Sequence, residues 1–129
     1  MSTRTKKTVE EGEHEIVTFL GNRVVIGPID AYDSLKLDPR IAEFSKGVTD
    51  PETRVQIMLK VYTIGSIRSI NGRHVNPRLN ELEFQAVARQ LDNTEIFQVM
   101  DKFADAYWTK TGDELKKEST TSTSSSSQP

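Results

Sequence analysis

Between Glu15 and Ile29 the chain runs apolar, turns, and runs apolar again. Ile16, Val17, Phe19 and Leu20 precede Gly21-Asn22; Val24, Val25, Ile26 and Ile29 follow, with Gly27-Pro28 ending the second arm. Gly-Asn between β-branched runs predicts a hairpin with a two-residue II′ turn, because glycine tolerates the positive φ that turn requires. From Asp30 to Gly47 the spacing becomes helical, with Tyr32, Leu35 and Leu37, then Ile41, Ala42 and Phe44. Asp38-Pro39 predicts a break there and a new helix opening at the proline, whose ring disfavours helix in the residue before it. Gly47 falls where a helix C-terminal glycine belongs.

Asp50-Pro51-Glu52 predicts a helix start, with a capping acid, proline in the first position and a second acid in the first turn. Val55, Met58, Leu59 and Tyr62 lie at i, i+3, i+4 and i+7, which predicts one buried face, widened by Ile57, Val61 and Ile64. Gly65 ends this helix or marks a turn. Asn71-Gly72, flanked by Ile67, Ile70 and Val75, predicts a second short hairpin, since a type I′ turn needs positive φ at both central residues. Asn80 with Glu83, and Asp92 with Glu95, match the capping box. Behind them run two apolar stripes: Phe84, Val87, Ala88 and Leu91, then Ile96, Met100, Phe103 and Tyr107, the second widened by Phe97, Ala104 and Trp108. The short gap between these helices predicts an αα-hairpin or a sharp corner. Together the elements predict an α+β fold, a mainly helical small domain with an N-terminal β-hairpin and a second short hairpin before two C-terminal helices.

The ends differ from the middle. Residues 1–13 read as a flexible polar lead, 14–110 as a single globular domain, and 111–129 as a disordered Ser/Thr-rich tail. Of 129 residues, 35% are hydrophobic and 28% charged, and the net charge of −2 offers no general attraction to nucleic acid or an anionic membrane. There is no cysteine, which removes disulfides and thiolate metal sites. No apolar run approaches the ~18 residues of a membrane span, and the N-terminus lacks the apolar core of a secretory signal. The cytoplasm is the expected compartment.

Little catalytic chemistry is legible. His14 and His74 are the only histidines and lie far apart, without a spaced set of metal ligands or triad partners. No phosphate-loop, dinucleotide, HExxH or nucleophile-elbow motif occurs. An enzyme is not expected, nor a cofactor or metal. Arg68, Arg73, His74 and Arg78 surround the second turn, with Arg89 one helix onward. Arg68, Arg73 and Arg78 are the candidate contacts for nucleic acid or an acidic partner. Binding to DNA needs several phosphate contacts, and Glu81, Glu83, Glu95, Asp101 and Asp105 on the adjacent helices oppose it. A small DNA-binding regulator is therefore the alternative and not the leading reading. Phe97, Met100, Phe103, Tyr107 and Trp108 are either core or a partner-binding face, because aromatic residues are enriched in both.

The order from Asp50 to Trp108 supplies a resemblance. A helix opened by Asp-Pro-Glu with Arg54 leads into Ile-Arg-Ser-Ile-Asn-Gly at 67–72, and helices carrying Phe84, Val87, Leu91, Ile96 and Phe103 follow. This resembles bacteriophage tail assembly chaperones and baseplate hub assembly proteins. The resemblance covers less than half of the chain and excludes the first hairpin and the tail. It implies a non-enzymatic assembly or structural protein in the host cytoplasm or the virion. Its implied partners are other phage tail or baseplate proteins, and it carries over no catalytic residue.

Overall fold

The computed structural model describes residues 11–108. Most of the predicted lead and the whole Ser/Thr tail lie outside them. Strands β1 (His14–Val17) and β2 (Arg23–Ile26) come first, followed by helices α1 (Ala31–Phe44) and α2 (Pro51–Ser66). Strands β3 (Ile67–Ile70) and β4 (Arg73–His74) precede α3 (Glu81–Gln90) and α4 (Asn93–Phe103), and α4 runs on as a π-helical turn over Ala104–Trp108. The fold is α+β, as the sequence predicts. Its two hairpins join in one antiparallel sheet of order β1-β2-β3-β4, a union that local patterning does not reveal.

The first hairpin forms, but its loop is Phe19-Leu20-Gly21 and not the predicted pair Gly21-Asn22. Thr18 N donates to Asn22 O at 2.9 Å and Gly21 N to Thr18 O at 2.8 Å, with Gly21 at φ +89°. This is a type I turn followed by a glycine bulge, the usual three-residue solution. The second hairpin matches its prediction, with Asn71 at φ 53° and Gly72 at φ 84°. Between the hairpins, Val25 pairs with Ser69 and Ile26 with Ile67, so Arg68 is the extra residue of a bulge. That bulge lets Ile67 and Ile70, three positions apart, both enter the core.

Several helix expectations need correction. Pro39 does not break the segment after Asp30; α1 is continuous through it. Pro39 and Leu35 both lie on the exposed side, where water can satisfy the Leu35 carbonyl that proline leaves without a donor. Asp30 caps this helix, its side chain accepting from Asp33 N at 2.8 Å, and Asp33 reciprocates. In α2, Asp50 caps as predicted, accepting from Thr53 N at 3.0 Å. The most deeply buried positions, however, are Val61 and Ile64 from the set read as a widening; of the predicted face, Met58, Leu59 and Tyr62 are half-buried like Ile57, with Tyr62 packed on the core, and Val55 is exposed. A helix apolar on most sides gives periodicity no unique answer.

Gly65 does not end α2. It sits in the last turn against α1, where an added Cβ would meet Leu37 Cδ1 at 2.6 Å and Cδ2 at 2.9 Å. Leu37 is fully buried and has nowhere to yield. Gly65→Ala is therefore expected to destabilise by ~1–3 kcal/mol through overpacking, and Leu37→Ala in the same chain should make the alanine less costly. Urea denaturation of the two single variants and the double variant measures this coupling.

The capping boxes divide. Asp92 and Glu95 form the complete reciprocal pair at α4. At α3, Asn80 accepts from Glu83 N, but the Glu83 carboxylate accepts from Asn76 N instead of closing the box. Helices α3 and α4 turn a corner, each packing on α2 and hardly on one another. One core results: Val24, Ile26, Ile67 and Ile70 from the sheet meet Leu37, Val61, Ile64, Phe84, Val87, Leu91, Ile96, Val99 and Phe103.

Candidate functional site

The tip of the first hairpin is a firmly held piece of surface. The Thr18 hydroxyl donates to Glu95 Oε2, and Asn22 Nδ2 donates to the same oxygen at 2.6 Å. The other carboxylate oxygen, Oε1, accepts from Asp92 N at 2.8 Å. Phe19 N donates to Gln98 Oε1 at 2.9 Å, and Asn22 N to Thr18 Oγ1 at 3.1 Å. Glu95 is only 1% exposed. Burial works to raise its pKa, but the hydrogen bonds from Thr18, Asp92 and Asn22 outweigh that and hold the carboxyl below its ordinary value. A buried, ionised side chain on α4 thus fixes the backbone of the turn. Val17, Phe19 and Leu20 nevertheless stay 58%, 58% and 60% exposed. The result is a rigid apolar prong.

Across α4 from this prong lies a groove of about 450 Å³ between α2, α3 and the end of α1. Ile57, Val61 and Ile64 contribute from α2, Phe84 and Ala88 from α3, and Phe44 from the end of α1. Thr53, Gln56 and Lys60 supply its polar share. Phe44 is 56% exposed, an aromatic ring left at the groove without cover. Lys60 Nζ donates to Asn93 Oδ1 at 3.2 Å and stands 5.1 Å from the Phe97 ring centroid. Among the described residues no carboxylate pairs with it. A groove of this size, largely apolar with a few polar groups, accommodates inserted side chains or a small ligand.

The arginines named from the sequence are engaged within the fold. Freed by the bulge, Arg68 lies across Gly27, where any Cβ would collide with its guanidinium, and donates to the Pro28 carbonyl. Burial lowers its pKa, and the nearby Arg78 lowers it further. Arg78 Nε pairs with Asp33 Oδ1 at 3.2 Å, both side chains largely covered. Arg73 is exposed and donates to Gln90 Oε1 at 3.1 Å. Arg68 and Arg73 tie the second hairpin to the β2–α1 connection and to α3, and Arg78 ties the segment after β4 to α1.

The predicted partner-binding stripe divides in the same way. Met100 and Phe103 are buried, and Phe97 is 38% exposed. Tyr107 is half-buried; its hydroxyl donates to the carbonyls of Gly12 and Ile26, and its ring meets His14 edge-on at 5.5 Å. Burial pushes the Tyr107 phenol up to about 12. Gly12, assigned to the flexible lead by sequence, is thereby in contact with the domain. Trp108 closes the π-helical turn, and its side chain lies outside the described residues. The prong and the groove are not legible in the sequence, where Phe19 and Leu20 fall in an apolar hairpin arm and Phe44 in a helical spacing. It also missed Val99, fully buried between the stripe positions. Comparison with protein-family models, curated proteins and solved structures finds no match.

Proposed function

We propose that the chain is a non-enzymatic bacteriophage tail or baseplate assembly protein that acts through protein–protein contacts. The phage assignment rests on the resemblance of residues 50–108. The contact role rests on the hairpin prong: Glu95 and Gln98 hold the loop, yet Phe19 and Leu20 remain in water. Apolar side chains carried on a fixed backbone require no loop ordering when a partner covers them, which suits an interface anchor. The contact surface therefore moves from the sequence-based stripe, whose Met100 and Phe103 serve the core, to the prong and the groove beyond α4.

Co-expression with the tail and baseplate proteins of the same phage tests this reading. The full chain is expected to co-purify with one of them in a fixed ratio. Phe19→Ser with Leu20→Ser should weaken that capture at least tenfold while leaving the melting temperature within a few degrees, because exposed side chains contribute little to the fold. A folded chain that captures none of these proteins overturns the proposal.

A further inference from the structure

The prong and the groove are complementary, and one chain carries both. We infer that two copies of this protein associate by exchanging prongs, Phe19 and Leu20 of each entering the groove of the other. The inference deepens the contact reading above by naming a second copy as a partner, and rests on that reading's assignment of the prong as an anchor.

The placement of the two surfaces favours exchange over insertion within one chain. Hydrogen bonds to Glu95 and Gln98 hold the prong on one flank of α4. Lys60, which lines the groove, reaches Asn93 and Phe97 on the other flank. Exposed residues of α4, among them Thr94 and Asp101, lie between. The pinned turn cannot cross that face to fill its own groove. A two-fold axis running alongside α4 would set each prong opposite its counterpart's groove and make the contact self-complementary.

Size and chemistry agree. A groove of about 450 Å³ has room for an aromatic and an aliphatic side chain together. An aromatic side chain carries ~150–250 Å² of surface, and more than half of Phe19 is uncovered. One insertion, counting both partners, would then bury on the order of 400 Å², well below the ~1,200 Å² at which specific interfaces become stable. Two reciprocal insertions bring this to on the order of 800 Å², and the central faces of α4, brought together by the same two-fold, supply the remainder. The arrangement thus favours a closed pair over a single-sided contact. Phe97 and Lys60 would lie near the centre, where a cation over an aromatic ring is sheltered from water.

Light scattering coupled to size exclusion, on the full chain from 5 to 200 µM, tests the inference. A dimer is expected in the upper part of that range. The prong variant, Phe19→Ser with Leu20→Ser, and the groove variant Phe44→Asp should each raise the dimer dissociation constant at least tenfold. Circular dichroism should show both folded, since all three residues are more than half exposed. Mixing the two variants supplies the decisive observation. One intact prong then meets one intact groove, and the mixture should associate more tightly than either variant alone, though less tightly than the wild type, which makes both insertions. A wild-type monomer at 200 µM or a dimer indifferent to both variants overturns the inference, as does a mixture no more associated than either variant alone. A monomer that still co-purifies with tail proteins defeats prong exchange and leaves the assembly reading standing; a dimer that captures none of them does the reverse.

Discussion

Phe103→Ala is expected to cost about 3–5 kcal/mol, the usual price of deleting a buried ring that its neighbours cannot collapse to replace. Phe103 is 2% exposed and lies in the core with Ile96 and Val99, its ring 5.6 Å from that of Tyr107. In a domain of this size the loss corresponds to a fall on the order of 15–30 °C in melting temperature. Phe97→Ala provides the contrast. That ring is more than one-third exposed, so its removal should cost less than ~1 kcal/mol. Thermal and urea denaturation of both variants measures the difference. Equal losses would mean that the two sides of α4 are not core and surface as described.

Glu95→Ala should be nearly as damaging, at about 2–4 kcal/mol, although it removes no apolar group. The Thr18 hydroxyl, the Asn22 amide and the Asp92 backbone N–H all donate to this carboxylate, and alanine would leave them without an acceptor. Glu95→Gln keeps the shape but loses the charge, and should fall between alanine and the native chain. The pH dependence follows from the direction of the shift. The folded carboxyl sits below its ordinary value of 4.5, so its contribution is fully present above that pH and is lost as pH falls through the lowered folded value. The capping acids Asp30 and Asp50 are shifted the same way by their hydrogen bonds and add to the acid sensitivity. Glu95→Gln should therefore flatten, without abolishing, the loss of stability below about pH 4.5, as read from urea midpoints across pH 3–7.

Short-range chemistry was legible in the sequence wherever one residue decides one backbone geometry. Asn71-Gly72 dictates its turn, and Asp50-Pro51 and Asp92 with Glu95 dictate their helix starts. The errors arose where tertiary contacts choose among local options. The spacing around Pro39 is compatible with a break or with continuity, and solvent on that side of α1 permits continuity. Helix α2 offers two apolar faces, and the choice falls to Leu37 and the sheet, not to its own periodicity. Glu95 was legible as a cap but not as a clasp on Thr18 and Asn22, because that use joins residues distant in sequence. The prong and the groove were hidden for the same reason. Whether Phe19 or Phe44 is covered depends on which neighbours arrive.

The pairing of β2 with β3 bears on how this protein is made. The ribosome releases the N-terminal strands first, and an isolated two-stranded ribbon is barely stable in water. Val24 and Ile26, which take their places beside Ile70 and Ile67, must wait for both intervening helices to be synthesised before the strand that shields them emerges. Until then a greasy ribbon edge stands open to other nascent chains, and a product truncated before Ile67 should precipitate where the finished protein stays dissolved.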